Sequence, residues 1–305
     1  MPVAECVANI SEGRDRRAVA AVAAAAVAAG AAVLDVHSDP DHHRSVLTLA
    51  ALPDRLADVA VALAAACLEL PDVSRHVGVH PRFGLLDVCP FVPLDFPDDP
   101  LGTDDLAGAV ADAAARIAAL GLPVFRYDAA SAVGRSLPEV RRGAFVDVAP
   151  DAGPSAPHPH GGAVALGVRT PLVAYNVDVA TDDMAVARRV AQRVRHVNGG
   201  PAGLRALALA LGSQRRTQIS MNCTQPGTAG VGAAWDAVAA AAAAEGTAIA
   251  DGDAGELVGL VPAAAIADAD AEVLQRSGIT ADRTVEAALV RAGLRPSTEP
   301  SLRCP

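Results

Sequence analysis

The sequence predicts an α+β fold, an α/β sandwich in which mixed β-sheets carry helices on one face. Three observations lead there. The chain has 305 residues and 51% hydrophobic content, enough for one large core or two of ordinary size. Aromatic residues are only 3%, so Ala, Val and Leu must fill those cores, which suits small helices packed closely on sheets. The first half alternates short apolar runs with Ala-rich tracts in the order strand, helix, strand, strand, helix, strand, helix, strand.

Val3 to Val7 reads as the first strand, and Ala8 to Arg14 as the loop after it, with Asn9, Ser11 and Glu12 as polar groups at a strand end. Arg16 to Ala29 is an Ala-rich helix closed by Gly30. Ala32 to Val36 is a strand. The segment Asp35 to Arg44 then gathers His37, His42, His43 and three aspartates before a strand from Ser45 to Ala50. His and Asp are common ligands of divalent ions. Against a metal here stand the crowding of all these side chains on one loop and the lack of an H-E-x-x-H or Cys partner, so none is expected.

Asp54 to Cys67 is a helix. Ser74 to Val92 follows, S-R-H-V-G-V-H-P-R-F-G-L-L-D-V-C-P-F-V: a loop broken by Gly78, Pro81 and Gly84 that runs into a buried strand, Leu85 to Val92. Two imidazoles, His76 and His80, beside two guanidiniums, Arg75 and Arg82, suit proton transfer on an anionic substrate. The plainer reading is a turn with a capped ring.

Thr103 to Leu120 is a helix, Val124 to Tyr127 a strand and Leu137 to Arg142 a short helix. Ala149 to Gly162 is rich in Pro and Gly and lies near mid-chain, as a domain junction would. Strands follow at Gly161 to Val168 and Pro171 to Val179, closing a first half of residues 1–179. The second half, 180–300, opens with a helix from Thr181 to His196, capped by Thr181. Strands follow at Leu204 to Leu211 and Gln218 to Asn222, where alternation puts Gln218, Ser220 and Asn222 on one face. A helix from Thr228 to Ala244, a strand at Thr247 to Ile249, the run Glu256 to Pro262, and helices near Ala263 to Ala271 and Thr284 to Ala292 complete the chain.

All 25 basic residues are arginine, so lysine-based covalent or acid/base catalysis is excluded. A net charge of -10 with no basic stripe argues against nucleic acid and anionic membrane surfaces. The five cysteines are scattered and lack C-x-x-C spacing, which suits reduced thiols in a cytoplasmic protein. Residues 1–13 do not resemble a secretory signal, and no Ala-rich tract resembles a membrane span.

The segment from Ser74 to Phe91 resembles the signature of the formiminotransferase family, S-R-H-x-G-x-H-P-R-x-G-x-x-D-V-C-P-F. E-C-V-x-N-x-S-E-G near the start, A-P-D-x-G-P at Ala149 to Pro154 and Q-V-S-x-N near Gln218 are similar to further elements of that family, so the resemblance runs to about Ala271. It implies two subdomains whose sheets face each other across a ligand groove. It also implies transfer of a formimino group from N-formiminoglutamate to tetrahydrofolate, with His80 as general acid/base. A folate-binding loop is implied at Gly153, Pro154, Ser155, Ala156, Pro157, His158, Pro159, His160, Gly161 and Gly162. Arg44, Arg75 and Arg82 become candidates for the substrate carboxylates. Homodimers are the default for such enzymes. No metal is implied, and with no cyclodeaminase domain following, the product would pass to a separate deaminase.

The chain departs from the pattern at His43, where Asn is usual, at His37, where some relatives are acidic, and at His158 and His160. Formyl transfer involving glutamate, a non-catalytic folate-binding protein and a metal-dependent hydrolase remain as alternatives.

Overall fold

A computed structural model describes residues 1–79, 82–211, 216–295 and 302–304, with the side chains of Arg75 and Arg216 left aside. Two compact units divide the chain, Met1–Arg169 and Thr170–Pro305. Each is a sheet with helices on it.

The first unit contains strands β1 (Ala4–Ile10), β2 (Ala32–Asp39), β3 (Arg44–Ala51), β4 (Leu86–Pro93), β5 (Val124–Asp128) and β6 (Val164–Val168). Its helices are α1 (Arg16–Ala28), α2 (Leu56–Cys67), α3 (Ala107–Ala119) and α4 (Leu137–Gly143). The sheet order is β2-β3-β1-β4-β6-β5, with β1, β2, β3 and β4 joined antiparallel and β4, β6 and β5 parallel. One face is sealed by α1, α2 and α3. Cys6, Ala8 and Ile10 from β1, Leu47 and Leu49 from β3, Cys89 and Phe91 from β4 and Val164 and Leu166 from β6 pack there against Val19, Val22, Leu56, Leu63, Val110 and Ile117. With so many alanines in these helices, backbones approach the sheet closely, and the large volume comes from the strands. The opposite face differs by strand. At β5 and β6 it is covered by α4, where Val140 meets Phe125, Tyr127 and Ala165.

The second unit contains β7 (Val173–Val179), β8 (Leu204–Leu211), β9 (Arg216–Cys223) and β10 (Gly255–Val258), in the antiparallel order β10-β7-β9-β8. Its helices are α5 (Met184–Val194), α6 (Val231–Ala244), α7 (Ala271–Arg276) and α8 (Val285–Arg291). Tyr175, Val177, Ile219 and Met221 form its core with Val190, Val194, Trp235 and Val238.

The α+β class therefore agrees with the sequence, while α4 departs from the expected one-face arrangement of helices and the second sheet is antiparallel rather than mixed. The division between units falls at 169/170, ten residues before the sequence-based boundary at 179, because β7 takes its hydrogen bonds from β9 and β10. Several element ends also differ. Strand β1 runs through Asn9 to Ile10, held by partners on both sides, so the loop starts at Ser11. Residues 161–163 precede β6, and Thr247–Ile249 contributes a single bridge, Val179 to Ile249. Helix α5 is capped by Asp183, whose carboxylate accepts from Ala185 N at 2.7 Å, whereas Thr181 accepts from Asp183 N at 3.1 Å. Both are good capping residues, and their spacing of two left the choice to geometry.

Candidate functional site

Strand direction brings the chemistry of the first unit to one end of its sheet. β1 ends there at Ile10, the β2–β3 turn lies there, and β4 and β6 both begin there, since Ile10 pairs with Ser45 and Leu86, and Asp39 with Arg44. The signature segment is bound into this end from several sides. Ser11 N donates to Leu85 O at 2.8 Å and Ser11 Oγ to Gly84 O at 2.7 Å; Val79 N donates to Asp41 O at 3.1 Å. Val73 N donates to His160 O at 3.1 Å, and Leu85 N to Gly161 O at 2.9 Å. Two glycines are required by close approach: a Cβ on Gly78 would lie 2.3 Å from His42 O, and one on Gly84 would lie 2.1 Å from Ala163 O. The described parts of the segment, on either side of residues 80 and 81, are therefore tied to the sheet end. His80, the acid/base residue implied by the sequence, lies outside the described residues, as does the side chain of Arg75.

Beneath the segment sits a buried carboxylate, Asp87, only 1% exposed. Asp87 accepts from Phe83 N at 2.5 Å and from Arg141 Nη2 at 2.5 Å. It also holds the charge of Arg44 and of Arg82. Three guanidiniums facing one carboxylate leave two positive charges in excess. Burial pushes Arg44 down to about 10, so it is still a cation at neutral pH, and its guanidinium donates to Asn9 Oδ1. Burial likewise lowers Arg82, whose Nη2 makes a long contact of 3.5 Å to His42 O and whose buried Nη1 has no hydrogen-bond partner among the described residues. A buried guanidinium nitrogen without a partner is suited to an added carboxylate. The sequence had singled out Arg44 and Arg82. It missed Asp87 and Arg141, which are 54 positions apart; the R-R pair on the short helix α4 was the visible signal.

A second cluster lies in the same end. Glu12, His43 and His76 bring ligand-type atoms within 4.8 Å of one another. His43 and His76 stack at 4.4 Å between ring centroids, and His43 Nε2 is 3.3 Å from Glu12 Oε1. That oxygen accepts also from Arg14 N and Asp15 N, at 2.8 and 2.9 Å, and these bonds together with the two imidazoles hold the Glu12 carboxyl below its ordinary range despite burial. Burial, aided by the like charge of His76 and of Arg14, lowers His43, and burial also lowers His76.

The Pro/Gly loop divides into two parts. Gly153, Pro154, Ser155, Ala156 and Pro157 are exposed. His158 to Gly162 is bound to the signature segment through the contacts to Val73 and Leu85 and a bridge between Gly84 and Gly162. His158 Nδ1 accepts from Gly161 N at 2.9 Å and His160 N at 3.3 Å, which makes this imidazole a clasp of the loop. The loop is no linker between units, since it closes onto β4 and β5 of the first: Val124 N donates to Ala152 O and Asp151 N to Val124 O.

Comparison with known proteins decides the family. A sequence profile described as the formiminotransferase domain, N-terminal subdomain, matches residues 3–169, and one described as the formiminotransferase domain matches residues 174–300. The chain belongs to the formiminotransferase family. A glutamate formimidoyltransferase of Thermoplasma acidophilum is 34% identical over 311 residues, 96% of this chain and 99% of that protein. One from Streptococcus pyogenes serotype M1 is 36% identical over 233 residues, 72% of this chain and 77% of that protein. The formimidoyltransferase-cyclodeaminase of Sus scrofa is 32% identical over 90% of this chain, which spans 53% of that longer protein.

In this formiminotransferase the second sheet also has a polar face. Asn176 Nδ2 donates to Glu256 Oε2 at 2.9 Å, and Gln218 Nε2 lies 3.2 Å from Asp178 Oδ1 and 3.3 Å from Glu256 Oε2. The sequence placed Gln218, Ser220 and Asn222 on one face, and their pairing with Asp178, Asn176 and Ala174 matches that alternation. The five cysteines are free; Cys6 and Cys89 meet at 3.5 Å in the first core, as packing residues.

Proposed function

We propose that this chain is a glutamate formimidoyltransferase, which moves the formimino group from N-formimino-L-glutamate to tetrahydrofolate. The observation that carries this reading is end-to-end alignment with a protein of that name, 96% of this chain against 99% of the other. The site chemistry supports it. The donor substrate brings two carboxylates, and Arg44, Arg82 and Arg141 around Asp87 offer two positive charges in excess.

In the proposed reaction the folate N5 attacks the amidine carbon, forming one C–N bond and a tetrahedral intermediate. His80 takes the proton that N5 loses and passes it to the glutamate nitrogen, whose C–N bond then breaks. A neutral imidazole that regains its starting state in each cycle suits both steps. Arg82, with its unpartnered Nη1, takes a carboxylate of the glutamate, and Arg44 and Arg75 remain further candidates for substrate carboxylates. The exposed residues Gly153 to Pro157 offer their backbone to the folate, while the clasped part, His158 to Gly162, holds that stretch beside the signature segment. Tetrahydrofolate is a co-substrate here. A homodimer in the cytoplasm is the assembly proposed with this activity. Among the described residues no helix is long and apolar enough to cross a membrane.

The test is turnover of purified protein with tetrahydrofolate and either N-formimino- or N-formyl-L-glutamate, read from the absorbance of the acid-cyclised methenyl product. Faster turnover of the formimino donor is expected. A preference for the formyl donor would move the reading to formyl transfer, and turnover of neither with folate bound would reduce it to a folate-binding protein.

A further inference from the structure

Glu12, His43 and His76 are not needed by the transfer reaction, yet they form a second arrangement of ligand-type groups. They come from three separate places in the fold: the loop after β1, the β2–β3 turn and the start of the signature segment. Crowding on one loop, which argued against a metal at the level of sequence, therefore does not describe the folded protein. Glu12 is 4% exposed and His43 8% exposed. Burying two imidazoles and a carboxylate is costly unless each polar atom finds a partner. Here His76 Nδ1 does not: it is buried with no hydrogen-bond partner among the described residues and is the lone pair an ion would take, whereas His43 Nδ1, also unpartnered, is the ring nitrogen that does not face Glu12.

We propose that Glu12, His43 and His76 bind a divalent transition cation of the Zn2+ class, which pins the signature segment to the end of the first sheet. The donor set is two imidazoles and one carboxylate, three protein ligands that leave a position open. Second contacts already orient each donor. Pro71 O, 3.2 Å from His76 Nε2, takes that N–H and leaves Nδ1 as the ligand lone pair. Backbone N–H groups of Arg14 and Asp15 fix the Glu12 carboxylate, as outer contacts of a ligating carboxylate do. Donors about 2.05 Å from a tetrahedral zinc lie about 3.3 Å apart, and His43 Nε2 and Glu12 Oε1 are separated by 3.3 Å. The ligand-type atoms lie within 4.8 Å of one another, and the two rings, stacked at 4.4 Å and 21°, must tilt apart for both lone pairs to meet one ion. When the ion takes His43 Nε2, the proton there shifts to Nδ1, and no net proton is released from the ring.

The charges around the set are of both signs. Glu12 attracts the cation. Arg14 opposes it, and Arg82 faces His76 from the signature segment. Arg14, however, is turned onto backbone carbonyls, donating to Pro40 O at 3.0 Å and Val77 O at 2.9 Å, which bind the same two segments that the metal would join.

The experiment titrates Zn2+ into metal-free full-length protein in competition with a chromophoric chelator, with melting temperature and Co2+ absorption as second readouts. Wild type is expected to bind one Zn2+ at this set and to melt at a temperature that rises with Zn2+ concentration. His43→Asn puts in place the residue usual in the resembling pattern, so the fold should accept it; affinity should fall at least about 100-fold, beyond the loss typical of a missing outer contact. Glu12→Gln should do the same, and serves if His43→Asn does not fold. Paired substitution of His158 and His160 by Ala should leave binding in place. Equal Zn2+ affinity in wild type and His43→Asn, loss of binding only in the His158/His160 variant, or no Zn2+ bound in competition with the chelator would each overturn the proposal. Because the readout is metal binding, failure of the formimino-transfer reading would leave this result unaffected.

Discussion

The two sheets of this formiminotransferase differ in the polar groups they gather. Each seals one face with Ala-rich helices, and in the first unit α4 also covers the other face at β5 and β6. At the end of the first sheet the set is Arg44, Arg82 and Arg141 around the single carboxylate of Asp87. On the second sheet it is Asp178 and Glu256 joined by the amides of Asn176 and Gln218. The first set gathers guanidiniums and includes a buried, unpartnered donor, Arg82 Nη1; in the second, side-chain amides donate to the carboxylates. The difference is why the proposed site for the anionic substrate is the first sheet's end.

The sharpest way to break this comparison is at the proposed acid/base. His80→Ala is expected to lower kcat by about 100-fold or more, with folate binding retained in a fluorescence titration; unchanged kcat would remove His80 from the mechanism. Next comes the shared carboxylate. Asp87→Ala leaves Arg44, Arg82 and Arg141 facing one another, and loss of one partner of a buried ion pair costs about 3–5 kcal/mol, to be read from urea unfolding. On the second sheet, Asn176→Ala removes one hydrogen bond to a charged partner, at an expected cost of about 1.5–3 kcal/mol. It should leave the KM for the formiminoglutamate donor within a few-fold of wild type. The smallest effect is expected away from both faces, at Glu245, where Arg189 and Arg193 donate at 2.5 and 2.7 Å and hold the carboxyl below its ordinary range. A lowered folded pKa stabilises above the unfolded value and is lost as pH falls through the folded one. The melting-temperature difference between wild type and Glu245→Gln should therefore be small at pH 7 and vanish as the carboxyl protonates below its ordinary range.

What was legible in the sequence follows from what is local. The helix bodies could be read because Ala tracts and capping residues act within a few positions; the apolar strand Leu86–Pro93 could be read from its own composition. Arg44 and Arg82 were visible through flanking motifs. Pairings across long separations were not: Asp87 with Arg141, Ser11 with Gly84, and Glu12 with His43 are consequences of strand order, which periodicity does not contain. The same holds for the Pro/Gly loop. Its composition reads as a linker, yet its carbonyls bind Val73 and Leu85 inside the first unit. The boundary at 179 moved to 169 for a related reason, since β7 is apolar enough for either sheet and only its partners assign it.

The central claim is that the cations around Asp87 receive the carboxylates of the glutamate donor. The direct measurement compares kcat/KM for N-formimino-L-glutamate and for N-formimino-γ-aminobutyrate, which lacks the α-carboxylate, in wild type and in Arg82→Gln. Wild type should prefer the dicarboxylate by about 10-fold or more, the worth of one charge-assisted hydrogen bond, and Arg82→Gln should lose most of that preference through KM. A preference that survives undiminished in Arg82→Gln, or no preference in wild type, would contradict the assignment of substrate binding to this end of the first sheet.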